Sequence, residues 1–227
     1  MALHDHWVQE RKHEHYYKLA KKLNYRSRAS FKLMQIDDRF NIFRDGDSVV
    51  DLGASPGGWL QVAKGRVGDR GKVVGVDLKY IKPLDGVTTI IGDITEDSTM
   101  RELLEVVGGK VDVVLSDMAP NVGGHYSTDH ARSVDLCMYA VAVCDRILKK
   151  NGKMVMKVFM GDMMDSLMEE LEPRFASVKI HSPAASRDAS SEVYIISKGF
   201  YASRKVKLSN APEEEIKPEF TSKGGNI

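Results

Sequence analysis

The sequence predicts an α/β domain in which helices cover both faces of a doubly wound, seven-stranded sheet that is mostly parallel and has an antiparallel hairpin at one edge. Short apolar runs alternate with longer amphipathic segments along most of the chain, and strands that alternate with helices form parallel sheets. The last two apolar runs have little room between them, which favours an antiparallel pair over a crossover helix. A chain of 227 residues is long enough for one sizeable core and short for two domains.

The elements follow from apolar spacing and from the residues that bound each run. Residues 27–40 carry apolar side chains at mostly helical spacing after serines that can cap a helix. The run SVVDLG ends in an acid and a glycine, as a buried parallel strand often does. By the same criteria the chain continues with a helix after Gly58, strands at KVVGVD and VTTII, a helix over 100–107, a strand at VDVVLSD, a helix over 130–149, a strand at KMVMKVF, a helix over 163–172, and strands at SVKIH and EVYIIS.

Two segments flank this core, which we assign to residues 47–199. Residues 1–46 are predicted to be a basic, helical N-terminal extension, and residues 200–227 are polar and predicted to be an unpacked tail. The whole chain has a net charge of +1, so the basic patch in the extension is local. Between residues 11 and 32 the only acid is Glu14, whereas the cations are Arg11, Lys12, Lys18, Lys21, Lys22, Arg26, Arg28 and Lys32.

Composition excludes several classes of protein. No apolar run approaches the roughly 20 residues that span a bilayer, and the polar start lacks the apolar centre of a secretory signal, so we expect a cytoplasmic protein without a membrane partner. Cys137 and Cys144 lack CxxC spacing and are expected to be small buried hydrophobes. No metal is predicted, because the N-terminal histidines lack a supporting frame of carboxylates or cysteines; these are His4, His6, His13 and His15.

The segment DLGASPGGW, residues 51–59, lies where the first strand passes into the first helix of the sheet, and ligands bind at this turn in doubly wound folds. Its glycines at positions 53, 57 and 58 allow a ligand to approach the main chain closely. A dinucleotide site is one candidate, but the spacing differs from GxGxxG, which weakens that interpretation. Asp77 closes the second strand and can accept hydrogen bonds from a ribose in either kind of site. Asp93 ends the third strand and can reach an adenine amino group or cap the following turn.

Five ordered motifs carry a resemblance to a known family. They are RSRASFKL at residues 26–33, DLGASPGGW, SDMAPN at 116–121, MKVF at 156–159 and SSEVYI at 190–195. Together they resemble the FtsJ (RrmJ) family of ribose 2'-O-methyltransferases over most of the chain. The resemblance implies a Rossmann-like methyltransferase fold. It also implies contacts with S-adenosylmethionine at Gly57, Trp59, Asp77, Asp93 and Asp117, although Trp59 is alternatively a plain core residue. Carboxylates suit a cationic sulfonium, and apolar walls suit the adenosine.

The same resemblance implies a catalytic tetrad of Lys32, Asp117, Lys157 and Glu192. Lys157 is informative by itself, since a lysine inside an apolar strand is costly to bury unless it is paired. We interpret Lys157 as the base, or as a direct hydrogen-bond partner, of the ribose 2'-hydroxyl. Burial and the nearby Lys32 disfavour its charged form, whereas the two acids favour it. The alternative is a buried structural ion pair between Lys157 and one of those acids.

An RNA substrate is implied as well, because relatives in this family act on large-subunit ribosomal RNA, tRNA anticodon loops or messenger caps. The compact size of the chain favours a uridine in the A-loop of large-subunit ribosomal RNA, within the assembled subunit. The basic patch, with Tyr16, Tyr17 and Tyr25 interleaved, can contact phosphates and stack on bases, or it can be simply solvated. Three alternatives stay open: methylation of tRNA anticodon loops, a noncatalytic RNA-binding ribosome-assembly protein, and a nicotinamide-dependent oxidoreductase. We expect a monomer.

Overall fold

The computed structural model describes residues 14–121, 123–186 and 191–201. Two helices precede the sheet: α1 takes in residues 14–22, and α2 spans Ala29–Phe40. The strands are β1 (Ser48–Leu52), β2 (Lys72–Asp77), β3 (Val87–Ile91), β4 (Val111–Ser116), β5 (Leu148–Phe159), β6 (Phe175–His181) and β7 (Glu192–Phe200). The remaining helices are α3 (Gly58–Val67), α4 (Asp97–Val107), α5 (Tyr126–Ile147) and α6 (Met164–Leu171).

The seven strands form one sheet in the order β3-β2-β1-β4-β5-β7-β6. The pairs from β3 to β5 are parallel, and β7 is antiparallel to both of its neighbours. The predicted mostly parallel sheet with an antiparallel edge hairpin is therefore confirmed, with the last strand inserted between β5 and β6. The strand order reverses between β1 and β4, so a crevice opens there at the carboxyl ends of the parallel strands.

Apolar side chains cover both faces of the sheet. One buried cluster joins the strands to α4, α5 and α6 and includes Leu103, Cys144 and Leu167. The other joins them to α2 and α3 and includes Leu33 and Leu60. Both faces of the central strands are thus buried, which is why β1 and β4 read as nearly continuous apolar runs rather than as alternating patterns.

The predicted helix boundaries were partly wrong around α5. The helix was expected over 130–149, but it begins four residues earlier, and Leu148 already pairs with Val111 as the first residue of β5. Leu148 is buried, so the chain leaves the helix where that side chain has to enter the core. The early start reflects the carboxylate of Asp129, which accepts hydrogen bonds from the main-chain N–H groups of Gly123 and Gly124.

Both cysteines are buried and unbridged, as expected, and burial raises the pKa of the Cys137 thiol to about 12. Within the described ranges, no helix is long and apolar enough to cross a bilayer. Residues 1–13 lie outside the described part of the chain, as do residues 187–190, the last of which begins the final motif, and most of the predicted tail, from residue 202 onwards. The three-part division of the chain stays a prediction.

Candidate active site

The register of three neighbouring strands brings the predicted catalytic residues together. Ser116 pairs with Met156 across β4 and β5, so the next residues in each chain, Asp117 and Lys157, emerge side by side at the carboxyl edge. Lys157 in turn pairs with Tyr194 on the antiparallel strand β7. Glu192 lies two residues before Tyr194, and side chains two apart in a strand share a face. The sheet itself therefore positions three members of the tetrad.

Lys157 is paired with Asp117 in two ways. Its Nζ lies 3.0 Å from Oδ1 of Asp117 and donates to the main-chain oxygen of the same residue at 2.8 Å. The Lys157 side chain is only 8% exposed, so these two contacts offset much of the cost of burying its charge. They use two of the three donors of an ammonium group, and one donor remains for a further acceptor at the edge.

Lys32 reaches the same place from α2. Its Nζ forms a buried ion pair and hydrogen bond with Oε1 of Glu192. Two contacts fasten the first turn of α2, just before this lysine, to the start of α3: Ser30 Oγ donates to the oxygen of Gly58 at 3.0 Å, and Trp59 Nε1 donates to the oxygen of Ala29 at 2.9 Å. The start of α3 thus sets the position of Lys32.

Tyr194 links the two ion pairs, and sequence reasoning missed it. Its hydroxyl lies 3.2 Å from Oδ1 of Asp117 and 3.1 Å from Oε1 of Glu192. The side chain is fully buried, and Lys32 Nζ lies 5.6 Å from the centre of its ring. The signal was present in SSEVYI, because a tyrosine two residues after the glutamate of a strand points to the same face.

Burial and neighbouring charges shift the pKa values of Tyr194 and Glu192 in this cluster. Burial raises the pKa of Tyr194 well above its usual value, and the negative charges of Asp117 and Glu192 raise it further, so the phenol keeps its proton. Burial also acts to raise the pKa of Glu192, but the charge and hydrogen bond of Lys32 and the charge of Lys157 outweigh it, and that pKa is lowered. The cluster therefore holds a neutral phenol that can donate to either carboxylate.

The glycine turn after β1 adjoins the cluster. Gly53 has a φ of +74°, and a Cβ at this position would lie 2.9 Å from the main-chain nitrogen of Met118, directly after Asp117. Gly57 has a φ of +104°, in the left-handed region that favours glycine. The turn consequently lies directly against the loop that carries Asp117, and only glycine permits this approach at position 53.

The predicted cofactor acids line the neighbouring strand ends. Asp77, half-buried at the end of β2, accepts hydrogen bonds from the N–H groups of Ser55 and Lys79, at 2.9 and 2.8 Å. Asp93 follows β3, and its Oδ1 accepts from the N–H and hydroxyl of Thr95, the capping contact that sequence reasoning gave as the alternative. A carboxylate offers about four acceptor positions, and each of these two uses two of them, so both retain capacity for a ligand. Leu78, 68% exposed beside Asp77, offers the apolar wall that an adenine needs.

Trp59 has a different environment from an open ligand wall. It is 3% exposed and belongs to the buried cluster between α2, α3 and the sheet. Its ring lies 5.7 Å, centroid to centroid, from that of Tyr194. This packing matches the alternative in which Trp59 is a core residue, and it supports Tyr194 from behind. A direct contact between Trp59 and the cofactor stays a prediction.

Arg26 also differs from its expected place in the basic patch. Its guanidinium donates to the main-chain oxygens of Pro56, Lys82 and Pro83, at 3.3, 2.5 and 2.7 Å. Its own N–H donates to the side chain of Gln61 at 2.8 Å. A guanidinium committed to three carbonyls is a structural link between the N-terminal segment and the glycine turn, rather than a free phosphate contact.

Exposed cations remain on α1, where Lys21 and Lys22 face solvent and Lys21 Nζ lies 4.7 Å from the centre of the Tyr17 ring. His15 is likewise exposed, whereas the other N-terminal histidines, His4, His6 and His13, lie outside the described residues. Among the side chains that the structure describes, no group of three or more His, Cys, Asp or Glu is arranged to hold a metal ion. The expectation of a metal-free protein stays a prediction.

Comparison with known proteins identifies the family of the chain. A model of the FtsJ-like methyltransferase family matches residues 25–200. The chain is 53% identical over 188 residues to ribosomal RNA large subunit methyltransferase E of Methanosarcina acetivorans, covering 82% of this chain and 68% of that protein. It is 48% identical over 199 residues to the protein of the same name from Methanocaldococcus jannaschii, covering 86% and 81%. A crystal structure of a ribosomal RNA methyltransferase from Plasmodium falciparum superposes with a TM-score of 0.72 at 27% identity, covering 79% of this chain and all of that one.

The fold and the cluster of charged residues at its switch point define a Rossmann-like methyltransferase. The chain belongs to the FtsJ-like methyltransferase family, and S-adenosylmethionine is its methyl donor. The residues present fit that group: the turn at Gly53 has no room for a side chain, and carboxylates lie at the ends of β2, β3 and β4, with an exposed leucine beside the first of them. The nicotinamide-dependent alternative is thereby set aside.

Proposed function

We propose that this methyltransferase transfers the methyl group to a ribose 2'-hydroxyl of RNA, at a uridine in the A-loop of large-subunit ribosomal RNA. The observation that carries the proposal is that two buried lysines each pair with a half-buried carboxylate, Lys157 with Asp117 and Lys32 with Glu192, and that the hydroxyl of Tyr194 joins the two pairs beside the glycine turn. The cluster combines hydrogen-bond donors for an attacking oxygen with carboxylates that hold those donors in place.

S-adenosylmethionine, when bound, supplies a methyl group on a positively charged sulfur. Transfer to a hydroxyl requires that oxygen to be held in line with the methyl group and to lose its proton. Lys157 Nζ is the group that contacts the 2'-oxygen, either as the base that accepts the proton or as the donor that orients the oxygen while the proton passes to water. Asp117 fixes the direction of Lys157 through two contacts. Lys32 neutralises the charge of Glu192, and the hydroxyl of Tyr194 holds the carboxylates of Asp117 and Glu192 in position.

Positioning is expected to be the larger part of the catalysis. Holding two reactants in attack geometry can lower a barrier by roughly 7 to 11 kcal/mol, whereas a general base typically adds about 10² to 10⁴ in rate. This accords with a site in which each lysine is held by a carboxylate rather than free to move.

The names of the relatives support ribosomal RNA as the substrate. Two archaeal proteins named ribosomal RNA large subunit methyltransferase E share about half of the aligned residues with this chain. Methylation of tRNA anticodon loops uses the same chemistry and is the second candidate. A noncatalytic assembly role is disfavoured, because all four tetrad side chains are present and in contact. The monomeric state and the cytoplasmic location stay predictions.

Transfer of a labelled methyl group tests the substrate. Purified protein is incubated with labelled S-adenosylmethionine and, separately, with unmethylated large ribosomal subunits, free ribosomal RNA and tRNA, and the modified nucleotide is then mapped. We expect label on the 2'-oxygen of one A-loop uridine in the subunit. Label confined to tRNA would support the second candidate, and no label on any RNA would contradict the proposed activity.

Lys157→Ala tests the catalytic assignment. The substitution removes the group that contacts the 2'-oxygen, so turnover should fall at least about 100-fold, the lower end of what a general base contributes. Binding of the demethylated product S-adenosylhomocysteine, measured by calorimetry, should change little. Lys150→Ala, at an exposed lysine on the same strand, is the matched control and should keep full activity. Near-normal turnover of Lys157→Ala would refute the role.

A further inference from the structure

The first residue of α5 carries an aromatic ring that is unusually open to solvent and yet fixed in place. The side chain of Tyr126 is 61% exposed. Its hydroxyl donates to the main-chain oxygen of Met160 at 2.5 Å, in the loop that follows β5. The hydroxyl end of the ring is therefore fixed while a large apolar area faces water, so the ring contributes little to the packing of the core.

The loops around this tyrosine are held by the next turn of the same helix. The carboxylate of Asp129 accepts hydrogen bonds from the N–H groups of Gly123 and Gly124, at 2.9 and 3.1 Å. His130 is buried; its Nε2 accepts the N–H of Met163 at 2.9 Å, and the remaining ring nitrogen, Nδ1, is 2.8 Å from the oxygen of Phe159 and therefore donates to it.

The ring of His130 also fills the space beside a glycine of that loop. A Cβ on Gly161 would lie within 2.4 Å of the imidazole, so the loop and the ring pack directly on each other. The contact between Tyr126 and Met160 thus joins two segments that are each fixed by hydrogen bonds, and the ring has a preset orientation.

This ring lies at the catalytic edge. Met160 comes three residues after Lys157, about 10 Å along an extended chain. The N–H of Met160 donates to the oxygen of Ser191 at 2.7 Å, next to Glu192. The side chain of Met160 is itself 40% exposed. Through its contact with Met160, Tyr126 therefore lies next to the edge of the sheet where the ribose has to bind.

We infer that Tyr126 is a stacking platform for an unpaired nucleobase adjacent to the methylated ribose. The inference rests on the proposed function, since it takes RNA as the substrate. A fixed aromatic face suits this ligand because RNA sites are recognised through unstacked bases that lie on aromatic rings. Fixing the ring in advance lowers the ordering cost of binding, and stacking tolerates any base because each has a flat π-face.

The test compares three variants in RNA binding and in turnover. Binding is measured by fluorescence anisotropy with a fluorescein-labelled RNA hairpin that carries the A-loop sequence. Tyr126→Ala should weaken binding and lower kcat/KM on the RNA substrate by about 5- to 150-fold, the range expected for the loss of one stacked base. Tyr126→Phe keeps the ring and should lose less than about fivefold. Tyr139→Ala, which removes another exposed tyrosine thirteen residues further along the same helix, should match the wild type.

Two results would overturn the platform: Tyr126→Ala binding RNA as tightly as the wild type, or Tyr126→Phe losing as much as Tyr126→Ala. The second would show that the hydroxyl contact with Met160 matters rather than the ring. Affinity for S-adenosylhomocysteine should be equal in all three variants. RNA binding that depends on Tyr126 without methyl transfer would leave the platform standing and contradict the proposed function. Absence of binding by the wild type to the hairpin and to large ribosomal subunits alike would contradict both.

Discussion

Asp51 shows how a single residue limits the negative charge of the site. It is fully buried in β1, and neither of its carboxyl oxygens has a hydrogen-bond partner among the described residues. Burial raises the pKa of this carboxyl well above its usual value, and the charges of Asp117 and Asp77 add to the effect. A neutral carboxylic acid is therefore expected at the base of the crevice, so that the charged acids at its surface are those that face the ligand.

Asp51→Asn tests this charge state through the pH dependence of stability. The pKa in the folded protein lies above the value of 3.8 for an unperturbed aspartate, so the folded state holds the proton more tightly. Its contribution to stability is complete below that value and is lost as the pH rises through the folded-state pKa, by at most about 1.4 kcal/mol per pH unit. The asparagine variant, which resembles the protonated acid, should escape this loss.

Urea unfolding between pH 5 and 9 would measure the effect. The stability of Asp51→Asn relative to the wild type should increase with pH, whereas Asp85→Asn, at an exposed position, should follow the wild-type curve. A constant difference in stability across this range would show that the folded and unfolded states bind equal numbers of protons at Asp51. The pKa of Asp51 would then not be raised into this range.

At the scale of elements, Arg26 joins three segments that are far apart in the sequence. Its guanidinium contacts the oxygen of Pro56 in the glycine turn and those of Lys82 and Pro83 after β2. The Arg26 side chain would also clash with a Cβ on Gly57, with 2.6 Å between the nearest atoms. The cofactor turn is thus held from outside by the segment between α1 and α2.

Arg26→Ala should therefore weaken cofactor binding although the residue lies in the basic patch. Loss of hydrogen bonds that involve a charged group typically costs about 1.5 to 3 kcal/mol, so affinity for S-adenosylhomocysteine should fall by at least about tenfold, together with a lower Tm. Calorimetry and thermal unfolding measure the two effects. Lys22→Ala, an exposed cation of the same patch, should change neither quantity. An unaltered affinity in Arg26→Ala would show that the turn keeps its shape without this arginine.

Sequence patterns predicted the elements well where burial is continuous, and poorly where tertiary contacts decide. The strands β1, β2 and β4 and the second half of β5 stand out because their residues are buried on both faces. The start of α5 was misplaced because it depends on how Asp129 bonds the preceding loop. The role of Arg26 depends on partners 30 to 57 residues away, which no local pattern contains. For Tyr194 the local pattern holds only Glu192, and its other partner, Asp117, lies 77 residues away.

At the scale of the whole molecule, the near-zero net charge hides an uneven distribution. The net charge of the chain is +1, yet the exposed surface of α1 carries lysines on successive residues. RNA affinity that depends on such cations falls with salt, with a slope of about 0.7 per phosphate contact on a single strand. The local excess of charge is evident in the sequence itself, whereas its use for RNA stays a prediction.

Neutralising Lys21 and Lys22 together should reduce the salt dependence of RNA binding. If each lysine contacts one phosphate, the slope of log affinity against log salt should become shallower by about 1.4. Affinity for S-adenosylhomocysteine should be unchanged, since neither side chain lies at the cofactor turn. The matched control replaces Lys149 and Lys150, consecutive lysines on β5, and should leave the slope as in the wild type. If both double variants keep the wild-type slope, Lys21 and Lys22 on α1 do not contribute to RNA binding.

The pairing of Lys32 with Glu192 spans 160 positions, and the glutamate begins the last strand, which inserts between two strands made earlier. During synthesis a nascent chain can fold its parallel half and its glycine turn while β7 is still inside the ribosome. Until that strand emerges, Lys32 lacks its carboxylate and Lys157 lacks the neighbouring tyrosine. Products that terminate before β7 should consequently be inert as methyltransferases, because the cluster forms only once the strand that carries Glu192 and Tyr194 is in place.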